Sequence, residues 1–286
     1  MATLSHRQRL WIGAGAIIPT LILGYLGLRP LHLRWGATAA EVARPMPGDL
    51  ARVGWTRAIT IKAAPTAIWP WLAQWGQGRG GWYSYDWLEN LLGFDIHTAD
   101  HILPEHQQPQ VGDPLCMARG VCNNAVFIVE PEQFFGWQSL APDGTPAWTF
   151  ILGLYPLNAT QTRLVLRESF STNAMPSAAL AALEIPDAVM GLKALHTVKA
   201  RAEGTRVNPL LTVLEIALWF GALLPGVGAG VLMLRRPAWK KPLALGLLAV
   251  LTLLALTFLF PPLWLRAVLD AGLAGGFIWL WRRNGT

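Results

Sequence analysis

The chain has 286 residues, a mean hydropathy of +0.35 and a formal net charge of +6. It is too apolar for an ordinary soluble enzyme, and the apolar excess lies at its two ends. The pI of 9.7 does not mark a nucleic-acid binder: residues 29–208 hold 14 Lys+Arg against 15 Asp+Glu. The surplus positive charge flanks the apolar runs, where it sets orientation in a bilayer.

Leu10–Leu28 carries no charge and is about as long as the roughly 20 residues that cross a bilayer as a helix. Ala37–Val53, rich in Ala, Pro and Gly, reads as a linker leading out of the membrane. Thr56–Lys62 alternates and is β-rich, which predicts a strand. Pro65 stands where a helix would start, and Tyr85–Leu92 repeats apolar residues at helical spacing. Four glycines in Gly76–Gly81 separate the two helices. A polar stretch, 93–112, holds His97, His101 and His106. Five β-prone segments follow: Val111–Met117, Ala125–Glu130, Phe134–Leu140, Ala147–Leu157 and Thr162–Phe170. In the last, Leu164, Leu166 and Phe170 share one face and Arg163 and Arg167 the other, predicting an antiparallel sheet with one buried side. Pro186–Glu203 reads as an amphipathic helix presenting Val189, Leu192, Leu195 and Val198, with Gly204 as its cap.

Three further runs complete the chain. Leu210–Leu234 contains only Glu215, Pro242–Phe260 contains no charge, and Leu263–Trp281 contains only Arg266 and Asp270. Arg266 and Asp270 are one turn apart and can neutralise each other, with the arginine near enough to the span's end to snorkel. The organisation predicted is an anchor over 1–34, a globular domain over 35–207 and a three-helix membrane region over 208–286. Arg235, Arg236, Lys240 and Lys241 mark a cytoplasmic connector. Counting crossings then puts both termini inside, with Arg7, Arg9, Arg282 and Arg283, and the domain outside the cytoplasm. Basic residues also flank the domain (Arg29, Arg34, Lys199, Arg201, Arg206). Cys116 and Cys122 could close a small loop across a hairpin in an oxidising compartment, or could be two small buried residues.

The candidate chemistry is sparse. Gly76–Gly81 lacks the lysine and the placement of a phosphate cradle. Its glycines should expose Arg79, which could meet an anionic head group beside Tyr83 and Tyr85 or pair with Asp86 or Glu89. Asp86, Glu89 and His97 are the candidate acid/base residues if the protein is an enzyme. His97 and His101 are four apart, but Thr98 stands where a metalloprotease needs its glutamate, and no metal site is expected. The domain's nine tryptophans exceed what a neutral core needs. Phe127, Trp137, Trp148 and Phe150 lie on strand segments where they could line an apolar pocket.

Thr56–Leu72 (TRAITIKAAPTAIWPWL) and Gln77–Gly93 (QGRGGWYSYDWLENLLG), with the order strand, two helices, five strands, long helix, resemble membrane-anchored members of the START and polyketide cyclase/dehydrase superfamily (SRPBCC). The resemblance covers roughly residues 35–204 and not the C-terminal spans. It implies an α+β helix-grip domain, a curved antiparallel sheet around a long C-terminal helix, beside about four transmembrane helices. It also implies a cavity for a hydrophobic molecule and no obligatory cofactor. The function expected is binding of a lipid or other hydrophobic small molecule close to the bilayer. Arg79, Tyr83 and Tyr85 would take its polar end and Trp137, Trp148 and Phe150 its apolar one. The alternatives are a cyclase- or dehydratase-like enzyme and a membrane sensor or scaffold, since the fold hosts many activities.

Overall fold

The computed structural model describes residues 4–171, 177–205 and 208–283. Arg206, one of the flanking basic residues, lies outside them. The chain divides into two compact units, Leu33–Val207 and Met1–His32 with Asn208–Thr286.

The first unit is α+β. It runs α2 (Ala39–Ala43), β1 (Arg52–Ile61), α3 (Pro65–Ala73), α4 (Asp86–Leu91), a 3-10 turn at Pro104–His106, and β2 (Pro114–Leu115). Then come β3 (Asn124–Glu130), β4 (Phe134–Leu140), β5 (Pro146–Asn158), β6 (Gln161–Phe170) and α5 (Ser177–Ala202). The strands form one antiparallel sheet in the order β1-β6-β5-β4-β3-β2, so the first strand closes beside the last. Val111–Met117 contributes only the two residues of β2, because Cys116 is bonded to Cys122 and the loop between them turns out of the ladder.

Period-2 alternation sends Trp55, Ile59 and Ile61 of β1, Leu164, Leu166 and Phe170 of β6, and Phe150, Leu152 and Leu154 of β5 into the main core. There they meet Ile68 and Leu72 of α3 and Leu195 and Val198 of α5. Each such side chain, fully buried, stabilises the fold by about 1.5–3 kcal/mol. Helix α5 begins at Ser177, well before Pro186, which lies inside it. Ala and Leu ahead of the proline are strong helix formers, and the proline forgoes only one backbone donor. The stripe it buries runs through Leu180, Glu184, Ala188, Gly191, Leu192, Leu195 and Val198. Val189 lies at its margin, and Ala188 occupies the core position instead.

The opposite sheet face is also covered, contrary to a single buried side. Residues 37–53 are no free linker. Thr38 and Glu41 form a capping box that starts α2, and Met46 packs with Ala58, Ile151 and Val165 on the outer face of the sheet. The two outward arginines of β6 hold the segment down. Arg167 donates to the carbonyls of Glu41 (2.6 Å) and Arg44 (2.6 Å) and to Asp49 (2.8 Å). Arg163 donates to both oxygens of Glu41, at 2.7 and 2.9 Å.

Among the described residues of the second unit, four helices are long and apolar enough to cross a bilayer: α1 (His6–Leu33), α6 (Pro209–Arg235), α7 (Lys240–Phe258) and α8 (Leu263–Arg282). Arg9 donates to the carbonyls of Leu234 (3.2 Å) and Arg236 (2.7 Å). The start of α1 therefore meets the end of α6 and the α6–α7 connector. Arg266 and Asp270 do not pair as their spacing suggested. Arg266 donates to the Pro261 carbonyl at 2.8 Å and covers the Phe260 ring. Neither Asp270 oxygen has a hydrogen-bond partner among the described residues, and the carboxylate lies against Gly221 of α6, where a Cβ would strike it.

Candidate functional site: an aromatic interior bordered by buried charges

On the inner face, Trp137 of β4 stacks on Phe150 of β5 with ring centroids 4.0 Å apart. Trp75 lies 6.0 Å from Trp137, and Trp82 lies 5.6 Å from it. Trp75 and Trp137 are almost fully buried, and neither indole N–H has a hydrogen-bond partner among the described residues. A buried donor left unpaired costs about 1–3 kcal/mol, so two such donors in one aromatic cluster call for an acceptor.

Charged side chains border this cluster. Alternation places Arg57 in phase with Trp55 and Ile59, and Glu168 in phase with Leu166 and Phe170. Both therefore point inward, and both are fully buried. The register sets Glu168 directly opposite Trp55 on one side and Phe150 on the other. Glu168 accepts a hydrogen bond from the Trp148 indole at 2.8 Å. Arg57 reaches under α5 to Asp187 at 2.6 Å, where Gly191 leaves it room: a Cβ there would come within 2.9 Å of Nη1. Burial, and then the charge of Asp187, push the Glu168 carboxyl well above its ordinary range, against a smaller opposing effect of Arg57. The cluster sets a carboxyl whose ionisation burial disfavours beside an ion pair.

A groove of about 520 Å³ opens on the same unit, lined by Trp69, Gln107, Gln108, Pro109, Gln110, Val111, Val129 and Pro131. Trp69 meets Phe135 edge-on at 6.3 Å, and Phe135 lies 6.0 Å from Trp137. Trp69 thus forms the groove's apolar wall and packs, through the buried Phe135, on the aromatic interior.

The residues anticipated from sequence separate into distinct places. Trp137, Phe150 and Trp148 share the inner face. Phe127 does not: a bulge between Val126 and Ile128 turns it to the outer face, where it packs with the Met46 cluster. Arg79 folds back on the end of α3 and donates to the Ala73 carbonyl at 2.9 Å, pairing with neither Asp86 nor Glu89. Tyr83, at φ 58°, donates to the Trp71 carbonyl at 2.9 Å. Gly80 is required beside it, since a Cβ would lie 2.7 Å from the tyrosine oxygen. Tyr85 is buried beneath Lys193 of α5, whose Nζ is 5.1 Å from the ring centre.

Asp86 clamps the following loop, accepting from Thr98 N at 2.7 Å and Oγ1 at 2.6 Å. His97 is 81% exposed and contacts Asp95, facing solvent. Glu89 is fully buried, with no partner for either oxygen among the described residues. Burial, with the neighbouring Asp86, raises its carboxyl to about 7. No group of three metal-ligating side chains occurs among the described residues.

Sequence reasoning passed over Arg57, Glu168 and Asp187. The signal was a charge at an apolar phase of the alternation in both β1 and β6. The groove residues 107–111 carried no signal beyond a polar Gln/Pro run.

No family model matches the chain, and no curated protein matches it. Among solved structures it is similar to MLL2253 from Mesorhizobium loti, at 14% identity over 53% of this chain and 99% of that one, with a TM-score of 0.32. A Thermobifida fusca protein shares 16% identity over 54% and 96%, with a TM-score of 0.30. EF2215 from Enterococcus faecalis, of unknown function, shares 17% over 54% and 74%, with a TM-score of 0.27. These likenesses are too loose to place the chain in a family.

Proposed function

We propose that residues 35–207 form a helix-grip domain that binds a lipid or other hydrophobic small molecule carrying an oxygen acceptor, while the four spans tether it to a membrane. The observation that carries this reading is the groove of about 520 Å³, whose Trp69 wall packs through Phe135 on a buried cluster with unpartnered indole N–H groups. Its volume falls in the range of small-molecule sites, which pair an apolar lining with a few convergent polar groups. The ligand's chain lies against Trp69 in the groove, and its oxygen reaches Trp75 or Trp137 when the buried Phe135 ring between them swings aside. The Cys116–Cys122 disulfide and the basic α6–α7 connector favour an extracytoplasmic domain.

The test is native mass spectrometry of the full chain in detergent, with extraction and identification of what co-purifies. Binding predicts a bound hydrophobic molecule that is lost from Trp69→Ala and from Val129→Trp, which fills the groove. A chain that stays empty after incubation with membrane lipids rejects the proposal.

One observation favours an enzyme as the second reading. Glu168, fully buried beside Asp187 with its ionisation disfavoured, resembles a general acid held ready by burial. Glu168→Gln, which keeps the shape, would retain ligand and abolish turnover if this reading holds. Undiminished turnover would dismiss it.

A further inference from the structure

The basic end of the helical unit contains a second concavity, separate from the aromatic interior. Its volume is about 400 Å³, and it is lined by Pro237, Ala238, Trp239, Lys240, Lys241, Trp279, Leu280 and Arg283. Three cations face it, Lys240 and Lys241 from the start of α7 and Arg283 from the end of α8. Lys241 Nζ lies 4.9 Å and Arg283 Cζ 4.8 Å from the centre of the same Trp279 ring. Arg236 ties the connector to the end of α8 by donating to the Leu280 carbonyl at 2.9 Å, so the walls are fixed to each other.

Among the described residues that line the site, none is acidic. The unit has only two acidic residues, Glu215 and Asp270. At 1.5 Å rise per residue, Asp270 lies about 20 Å along α8 from Arg283 and Glu215 about 30 Å along α6 from the connector. Two cations gathered on one indole repel each other, and a bound anion removes that repulsion. At the start of α7, Trp239 supplies no side-chain cap, so first-turn N–H groups add to the positive field. Indoles beside cations at a span's end belong at the level of lipid phosphates.

We infer that this concavity is a binding site for the phosphate head group of an anionic glycerophospholipid, clamped by Lys240, Lys241 and Arg283 with Trp239 and Trp279 against the glycerol. Basic residues that merely orient the spans need no concavity, and Arg7, Arg235 and Arg282, exposed at the same end, line none of it.

The test uses the full chain reconstituted in phosphatidylcholine nanodiscs containing phosphatidylglycerol, with bound lipid counted by native mass spectrometry after detergent release. Wild type should retain one phosphatidylglycerol. Lys240→Ala/Lys241→Ala/Arg283→Ala should lower retention at least about tenfold. The charge-matched Arg7→Ala/Arg235→Ala/Arg282→Ala should retain it within about twofold of wild type, since the site's own cations remain. Ala238→Phe, which fills the concavity and keeps every charge, should behave like the first triple variant. Equal loss in both triple variants, or full retention in Ala238→Phe, would leave only unspecific attraction and overturn the inference. So would binding of free glycerol phosphate as tight as that of the lipid.

Discussion

Asp187, the residue after the proline of α5, holds Nη1 of Arg57 on β1 at 2.6 Å. Through this bond the long helix is fastened to the first strand at a point where both would otherwise present apolar side chains. The guanidinium is fully buried while Asp187 keeps 15% exposure, so the pair reaches from the edge of the domain to its interior.

Removing one partner of a buried pair leaves an uncompensated charge, at a cost of about 3–5 kcal/mol. Arg57→Ala should therefore lower the stability of the full chain by that order in a detergent unfolding titration. Asp187→Asn should cost less, because Glu168 then loses the neighbouring charge that disfavours its ionisation. Gly191→Ala should destabilise in the Arg57 background and much less in Arg57→Ala, since the clash is with that guanidinium. Equal costs in both backgrounds would contradict the arrangement.

Glu89 and Glu41 give opposite pH dependences. Glu89 titrates at about 7 against an ordinary 4.5, so the folded chain keeps a proton that the unfolded chain releases. Its favourable contribution is complete below about 4.5 and is lost as pH rises towards 7. Glu89→Gln should flatten the melting temperature over that window, within a ceiling of about 1.4 kcal/mol per pH unit.

Glu41 is the reverse case. Burial alone would raise it, yet Arg163 and Thr38 hold it at about 2. Its contribution is complete above about 4.5 and disappears as pH falls towards 2. Glu41→Gln should lower stability at pH 7 and remove part of the acid sensitivity. Loss of the α2 clamp should also appear as faster proteolysis near residues 37–50.

Reduction of Cys116–Cys122 opens a loop with a sequence separation of six. Loop-closure entropy for so short a loop corresponds to about 2 kcal/mol. Cys116→Ser/Cys122→Ser and dithiothreitol should produce similar decreases in melting temperature and should not add to each other.

Trp69 forms the wall between groove and core, and the binding proposal requires it. Trp69→Phe should keep ligand and Trp69→Ala should lose it, with circular dichroism unchanged in both. Retention in Trp69→Ala would place the ligand elsewhere.

Much of this architecture is legible in the chain itself. The four helices long and apolar enough to cross a bilayer announce themselves as runs of about 20 residues almost without charge. Strands β4, β5 and β6 follow from alternation and flanking turn residues. Those features are local, and local physics fixes them. Where a segment is apolar at every position, alternation says nothing, so the bulge that turns Phe127 outward could not be read from Ala125–Val129. Polar contacts across the fold were equally silent. Glu41 and Arg163 are 122 residues apart and Arg57 and Asp187 are 130 apart, and only the packing of α2 and α5 on the two faces of the sheet brings such partners together. Sequence determined which stretches are long and apolar enough to cross a bilayer and which become strands, and it held an unread signal in the two charges on inward phases. Tertiary structure decided what those charges neutralise, because burial and pairing are properties of the packed sheet and helix rather than of either element alone.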